Sequence, residues 1–246
     1  MPVRILVLEH DPSDPLLRLG DWLLEAGAET VVVRLHAGDR LPENLDGFQA
    51  LISLGGDMGA LDDDVAPWLP ATRALLAAAV RDRTPTLGIC LGSQLLAAAT
   101  GGIVRVGQDG PEIGAYLAAK RDAAEDDPLF GPLPMTPDVM HCHYDIVDPL
   151  PPGAVLLLSS HGYPNQAWRL GPAAWGLQFH IEPDAAVLRE WASHENREPV
   201  GRLGPPLDEA EEVMGQVWRD FAQRFVTFAA SPEPTRRGTR LRLLGR

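Results

Sequence analysis

The stretch TPTLGICLGSQLLAAATGG, residues 84–102, contains the clearest structural signals in the sequence. In it the apolar run Thr86–Ile89 leads directly to Cys90, and an apolar pattern at helical spacing starts at Leu91. A short apolar run without alternation is typical of a strand buried on both faces. We therefore predict a strand over Thr86–Ile89, a tight turn at Cys90 and a helix over residues 91–100.

The preceding sequence repeats this alternation of strand and helix. Strands are predicted at residues 3–8, 30–35 and 50–54, and helices at residues 16–26 and 71–83. Asp14 and Pro15 have the residue types of a helix N-cap and first helical position, and are predicted to start the first helix. Strands that alternate with helices indicate an α/β fold with a doubly wound, mostly parallel sheet and helices on both faces. Ligand sites in such sheets lie beyond the carboxyl ends of the strands.

The second half is less regular. Strands are predicted at residues 103–105, 113–117, 154–159 and 174–180, and helices at residues 184–194 and 208–228. The polar segment 195–206 is predicted to be a loop. We expect one domain over residues 1–230 and a basic tail over residues 231–246, which carries Arg236, Arg237, Arg240, Arg242 and Arg246.

Composition excludes several classes of protein. The net charge of −13 argues against nucleic acid as the main partner, because phosphate backbones attract basic surfaces. The sequence has no apolar run long enough for a membrane span and no signal peptide pattern at its N-terminus. Its two cysteines form no disulfide framework. A cytoplasmic protein that acts on a small molecule or on another protein is therefore expected.

The corner at Cys90 has the pattern G-x-C-x-G, which is the nucleophile elbow with sulfur in place of the serine oxygen. Gly88 and Gly92 are needed because side chains at these positions would collide in so tight a turn. The N-terminus of the following helix stabilises negative charge and favours a thiolate. Cys90 is therefore a candidate nucleophile.

A nucleophile of this kind needs a base, and the base needs a group that orients it. His180 and Glu182 are two residues apart at the end of a predicted strand, so both side chains would lie on one face. A carboxylate beside an imidazole fixes its tautomer and supports its cationic form. Most of the histidines at positions 10, 36, 161 and 194 are expected at the solvated surface.

The sequence also resembles a family. PTLGICLGSQLLA (residues 85–97) and WGLQFHIEP (residues 175–183) are similar to the two signatures of class I glutamine amidotransferases. The match extends over about residues 45–190 and is greatest to stand-alone members related to the glutaminase domain of GMP synthetase. The resemblance implies a flavodoxin-like sheet with a smaller antiparallel β extension. It also implies a catalytic triad of Cys90 as nucleophile, His180 as general base and acid, and Glu182 as orienting carboxylate.

The resemblance implies further roles around this triad. The backbone N–H groups of Gly56 and Leu91 would form the oxyanion hole. Gln94, with the backbone near Tyr144 and Asp145, would hold the amino-acid end of the substrate. Glutamine would be hydrolysed through a thioester, and ammonia would pass to a separate synthetase subunit. No cofactor is implied.

Three positions depart from the family pattern: Ile181 and Asp57 replace prolines, and Tyr144 replaces a glycine. Since Tyr144 adds bulk to the substrate pocket, a free-standing hydrolase of γ-glutamyl conjugates remains an alternative. A non-catalytic subunit that binds a small molecule is a second alternative function. The sequence leaves the oligomeric state open, including a homo-oligomer. His141, Cys142 and His143 lack the spacing of a zinc motif, so we expect no metal there and expect His143 to support the pocket.

Overall fold

The computed structural model describes residues 2–194 and 203–231 and contains one large mixed sheet between two layers of helices. Twelve strands are present in these residues: β1 (Val3–Glu9), β2 (Ala28–Arg34), β3 (Ala50–Ser53), β4 (Thr86–Ile89), β5 (Val104–Val106), β6 (Glu112–Leu117), β7 (Ala119–Lys120), β8 (Asp138–His143), β9 (Asp145–Val147), β10 (Val155–Ser159), β11 (Ala167–Leu170) and β12 (Ala174–Leu177). The α-helices of the same residues are α1 (Leu17–Glu25), α2 (Leu69–Arg81), α3 (Leu91–Ala99), α4 (Ala185–His194) and α5 (Pro205–Ala229).

The strand order of the large sheet is β2-β1-β3-β4-β12-β11-β10-β7. The first five strands are parallel to one another, and the last three pair antiparallel. Two small antiparallel ladders, β5 with β9 and β6 with β8, form the extension. The predicted α/β, mostly parallel, flavodoxin-like sheet with a smaller antiparallel extension is thus confirmed. The chain order reverses between β1 and β3, and a ligand site is expected beyond the carboxyl ends of the strands there.

The inner parallel strands β1, β3, β4 and β12 are buried on both faces, whereas the edge strand β2 is partly exposed. In β1, Ile5 and Val7 belong to the core cluster that includes residues of α1 and α5. Leu6 and Leu8 belong to the opposite cluster, which includes residues of α2 and α3. A strand covered on both sides needs apolar residues at every position, which explains the continuous apolar runs of the sequence. None of the described helices is long and apolar enough to cross a membrane.

The structure corrects two local predictions. Asp14 does not cap the first helix: the N-cap is Leu16, without a side-chain hydrogen bond, and α1 begins at Leu17. The strand predicted at residues 174–180 ends at Leu177, and His180 is joined to Met140 of β8 by one isolated bridge.

Other parts of the chain were missed or are not described. The strands β7, β8, β9 and β11 were not predicted. Residues 195–202 of the predicted loop and residues 232–246 of the predicted tail lie outside the described residues. The division of the chain at residue 230 therefore stays a prediction.

Candidate functional site

Cys90 lies at the corner between β4 and α3, at the N-cap position of the helix. Its φ is 49°, a strained backbone conformation that nucleophile elbows use. A Cβ on Gly92 would lie 2.0 Å from the carbonyl oxygen of Ser53 in β3, and one on Gly88 would lie 2.5 Å from the carbonyl oxygen of Gly92. The backbone of α3 therefore rests directly on the sheet, and only glycine fits at either position.

His180 lies beyond the end of β12, beside Cys90. Its Nδ1 lies 2.6 Å from Oε1 of Glu182, and its imidazole lines the same pocket as the side chain of Cys90. The second carboxylate oxygen of Glu182 accepts the backbone N–H of Ile181 at 2.8 Å. Neither residue lies in β12, which ends at Leu177, so a shared strand face does not explain their contact.

Opposing effects act on the protonation of His180, whose side chain is 2 % exposed. Burial is the largest and by itself would lower its pKa. The charge of Glu182 and the adjacent Cys90 outweigh burial and raise the pKa of His180 well above its usual 6.5. This environment favours the imidazolium form, which is the partner that a cysteine thiolate requires.

A pocket of about 480 Å³ opens beside Cys90 and His180. Its lining includes most of the residues predicted for the site, together with Asp14 and Trp191, which sequence reasoning missed. The indole of Trp191 in α4 packs edge-on against His180, with ring centroids 4.8 Å apart. Trp191 donates its Nε1–H to the carbonyl oxygen of Ser13, so α4 is tied to the loop that carries Asp14.

Asp14 is an acidic group at the mouth of this site and is 8 % exposed. A Cβ on Gly55 would lie 3.0 Å from both Oδ2 of Asp14 and Cε1 of His180, so the carboxyl and the imidazole flank this glycine. Burial raises the pKa of Asp14 to about 7, although the charge of His180 opposes the shift. Its place after the first parallel strand, at the carboxyl edge of the sheet, was the signal in the sequence that could have identified it.

The predicted oxyanion residues are brought together near Cys90. Gly56 lines the pocket on the loop after β3, and a Cβ there would lie 3.1 Å from Cδ2 of Leu91. Over residues 2–194 and 203–231, the backbone N–H groups of Gly56 and Leu91 donate to no protein oxygen. Both donors are therefore available to a substrate.

The predicted substrate residues lie on the opposite wall of the pocket. Gln94, Tyr144 and Asp145 all line it, and Tyr144 is 38 % exposed. Gln94 donates from Nε2 to the backbone carbonyl of Asp145 at 3.1 Å. His143 contacts the same carbonyl through Nδ1 at 3.1 Å, so it supports this wall as the sequence analysis expected.

His10 corrects the expectation of a surface histidine, because its side chain is fully buried. Trp68 donates its Nε1–H to Nδ1 of His10 at 3.2 Å, which leaves Nε2 to donate to Oγ of Ser53 at 2.9 Å. Burial lowers the pKa of His10 to about 4, which keeps it neutral. It supports the ends of β1 and β3 and does not line the pocket.

A second cluster of titratable groups lies behind His143. Its other members are Glu112 and His141, which are buried with it between β6 and β8. Burial alone would raise the pKa of Glu112, but the hydrogen bond from His143 and both imidazoles lower it to about 2. Burial, together with His143, lowers the pKa of His141 to about 3. The cluster therefore holds an ionised carboxylate beside a neutral imidazole.

Comparisons with known proteins identify the family of this chain. The profile of the glutamine amidotransferase class-I family matches residues 21–187. The chain is also 31 % identical to the glutamine amidotransferase-like protein YfeJ of Salmonella typhimurium, over 82 % of this chain and 85 % of that protein. The chain belongs to the class I glutamine amidotransferases. Its relation to a solved amidotransferase structure from Thermotoga maritima is close, with a TM-score of 0.81, 30 % identity and coverage of 92 % of this chain and 99 % of that one.

A further relative of this amidotransferase is the glutamine-hydrolysing GMP synthase of Porphyromonas gingivalis. The two are 33 % identical over 145 residues, which are 58 % of this chain but only 27 % of that synthase. The chain therefore corresponds to one part of that larger protein and to nearly all of the Thermotoga structure.

Proposed function

We propose that this protein hydrolyses the side-chain amide of glutamine, or of a γ-glutamyl amide, through a thioester on Cys90. One observation carries the proposal: Cys90 stands at the start of α3 and shares one pocket with His180, which Glu182 holds at 2.6 Å. A nucleophile, a base and an orienting carboxylate in this order form the arrangement that acyl transfer requires.

The first half-reaction releases the amine. The Cys90 thiolate attacks the amide carbon, and the carbonyl oxygen becomes an oxyanion. His180 then donates its proton to the nitrogen, the C–N bond breaks, and ammonia or an amine leaves. In the second half-reaction His180 takes a proton from water, the resulting hydroxide attacks the thioester, and the C–S bond breaks to release glutamate. Glu182 keeps the proton of His180 on Nδ1 and stabilises the imidazolium throughout.

We assign the oxyanion hole to the backbone N–H groups of Gly56 and Leu91. Neither N–H donates to a protein acceptor among the described residues, which supports the assignment. The N-terminus of α3 adds favourable electrostatic potential at Leu91. The loss of one such donor typically slows catalysis by about 10²–10³-fold. A Cβ on Gly56 would lie 2.9 Å from Sδ of Met58 and 3.1 Å from Cδ2 of Leu91, so a side chain there would have to displace both neighbours.

We assign the amino-acid end of the substrate to the wall of Gln94, Tyr144 and Asp145. The hydrogen bond from Gln94 to the Asp145 carbonyl supports this assignment because it joins α3, which carries Cys90, to the extension. A substrate held on this wall would have its amide directed towards the start of α3.

For the ammonia, we propose transfer to a separate synthetase subunit. The similarity to one part of a glutamine-hydrolysing GMP synthase supports this reading. The partner itself is identified only by its chemistry: it binds an acceptor that reacts with ammonia.

A second candidate is a free-standing hydrolase of γ-glutamyl amines, and the charge of the pocket favours it. Asp14, Asp57 and Asp145 line the pocket, whereas none of its described lining residues is lysine or arginine. An acidic pocket of this kind suits an amine leaving group that carries a second positive charge. Tyr144 would then contact a substrate larger or less polar than glutamine.

Glutamate release from glutamine and from a γ-glutamyl diamine tests both candidates. The wild type is compared with Cys90→Ala, and with Cys142→Ala as the control that removes the other cysteine. Release from glutamine that is lost only in Cys90→Ala supports the amidotransferase, and release from the diamine conjugate alone supports the hydrolase. If Cys90→Ala retains wild-type activity, the mechanism is wrong. If neither substrate is cleaved even with candidate synthetases present, the non-catalytic alternative is correct.

A further inference from the structure

Three buried side chains converge on one face of the extension, behind the wall of the substrate pocket. In the antiparallel register of β6 and β8, Glu112 pairs with His143 and Gly114 pairs with His141. Residues two apart on a strand lie on the same face, so His141 and His143 project together towards Glu112. Cys142, between them, is partly exposed and faces away.

The atoms that meet there are all potential metal ligands. Nε2 of His143 lies 3.1 Å from Oε2 of Glu112 and 3.1 Å from Nδ1 of His141. Nδ1 of His141 lies 3.7 Å from the same carboxylate oxygen. The three side chains are 0–6 % exposed, so bulk water does not separate them.

The protonation of His143 follows from its other partner. Nδ1 of His143 faces the backbone carbonyl of Asp145, and a carbonyl oxygen only accepts, so Nδ1 carries a proton. Nε2, the other ring nitrogen, faces the carboxylate oxygen of Glu112 and Nδ1 of His141. Either a shared proton or a metal ion between these three atoms accounts for their close approach.

His141 contributes one nitrogen to the cluster. Its Nδ1 faces Glu112 and His143, whereas its Nε2 is buried and has no hydrogen-bond partner among the described residues. An unpaired buried nitrogen costs roughly 1–3 kcal/mol, so the contacts of Nδ1 are what hold the ring in this orientation.

We propose that Glu112, His141 and His143 bind one divalent transition-metal ion, with Zn²⁺ as the best fit. Two imidazole nitrogens and one carboxylate oxygen are ligands that zinc accepts. Ligand atoms around a tetrahedral zinc ion lie about 3.3 Å apart, given bonds of about 2.0–2.1 Å. The observed separations of 3.1, 3.1 and 3.7 Å lie on both sides of that value.

The surroundings hold the ligands in place, as they do in known metal sites. A metal-binding histidine usually donates its other N–H to a carbonyl or carboxylate, and His143 does so to Asp145. Gln166 donates from Nε2 to Oε2 of Glu112 at 2.8 Å, and Ser160 donates to Oε1 at 3.0 Å. The bound ion would tie β6 to β8 and so stabilise the wall that carries Asp145.

Residues 141–143 alone lack the spacing of a zinc motif, so no metal was expected there from the sequence. The third ligand, Glu112, comes from another strand that pairs with β8 only in the fold. Neither the proposed glutamine chemistry nor its partner is needed for this inference.

Zinc binding to the full chain tests the proposal. Cys90→Ala serves as the background, so that the reactive thiol cannot bind the ion. After removal of metal by a chelator, Zn²⁺ is titrated against a chromophoric competitor, and Co²⁺ is added separately to record its visible spectrum. His141→Gln, Gln166→Met, His161→Gln and Cys142→Ser are each added to this background.

We expect one zinc ion per chain and the visible spectrum of four-coordinate Co²⁺ with nitrogen and oxygen ligands. His141→Gln should weaken binding by more than 100-fold, and Gln166→Met by about 10–100-fold, as is usual for groups that orient a ligand. The exposed His161 and the outward Cys142 serve as controls whose replacement leaves binding unchanged. If His141→Gln does not fold, the Gln166→Met affinity and the zinc-dependent rise in the melting temperature of the background still decide the question.

Two results would overturn the proposal. If the background binds no zinc and gains no thermal stability from it, the cluster is a proton-sharing imidazole–carboxylate group. If zinc binds equally in His141→Gln and Gln166→Met, or is lost in Cys142→Ser, the ion lies elsewhere.

Discussion

Oε1 of Glu182 lies 2.6 Å from Nδ1 of His180, and both side chains are almost completely buried. We expect Glu182→Gln to lower kcat by about 10⁴-fold, because an amide in place of the carboxylate favours the wrong imidazole tautomer. The measurement is the rate of glutamate release at saturating substrate. Glu190→Gln, on the exposed side of α4, is the matched control and should retain full activity. Activity of Glu182→Gln within tenfold of the wild type would contradict the assigned role.

The same glycine-to-alanine change should have opposite effects in two helices. Gly92→Ala places a Cβ 2.0 Å from the carbonyl oxygen of Ser53, so we expect a loss of more than about 4 kcal/mol in the free energy of unfolding. At Gly215 in α5 the first contact of a Cβ is an Arg18 side-chain nitrogen at 3.7 Å, and alanine should stabilise the protein by up to about 1 kcal/mol. Urea unfolding of both variants measures the difference. A stable Gly92→Ala would refute the close contact between α3 and β3.

Asp14 should make the protein less stable as the pH rises. Its pKa is raised from 3.8 to about 7 in the folded state, so between these values the unfolded chain loses a proton that the folded chain keeps. We therefore expect Asp14→Asn to be more stable than the wild type by about 2–4 kcal/mol at pH 8, and equally stable near pH 3.5. Urea unfolding across this pH range provides the test. Asp21→Asn, on an exposed position of α1, should show no pH-dependent difference.

Tyr144 should control which substrates enter the pocket. Tyr144→Gly removes a ring that is 38 % exposed at the wall of the site, so we expect kcat/KM for glutamine to rise by about tenfold. Tyr144→Phe keeps the ring and removes only the hydroxyl, so its comparison with Tyr144→Gly isolates the effect of ring size. Steady-state kinetics with glutamine and with a γ-glutamyl diamine separate the two effects. A fall in activity on both substrates would show that Tyr144 binds the substrate directly.

The parts of the fold that the sequence predicted are those with local signals. The inner parallel strands are buried on both faces, so they appear as uninterrupted apolar runs, and the glycines around Cys90 mark its turn directly. His180 and Glu182 were paired correctly, but for the wrong geometric reason, because β12 ends before them.

The parts that were missed depend on contacts between distant segments. The strand β8 contains His141 and His143, whose burial has no apolar signature, and its pairing with Glu112 is set by the fold. Asp14 was interpreted as a helix cap because its neighbour is proline, a local pattern that the packing of the loop against Trp191 and His180 overrides.

The contact of Gly92 with the carbonyl of Ser53 affects how mutations elsewhere in this protein should act. The backbone of α3 at Gly92 packs directly on the backbone of β3 at Ser53, with no side chain between them. This contact sets how far Sγ of Cys90 stands above the sheet. Truncating an apolar side chain such as Leu95 or Ile52 can therefore reduce the fraction of folded molecules without moving the nucleophile. In variants with such core substitutions, total activity should be proportional to the fraction of folded protein. The activity of each folded molecule should equal that of the wild type.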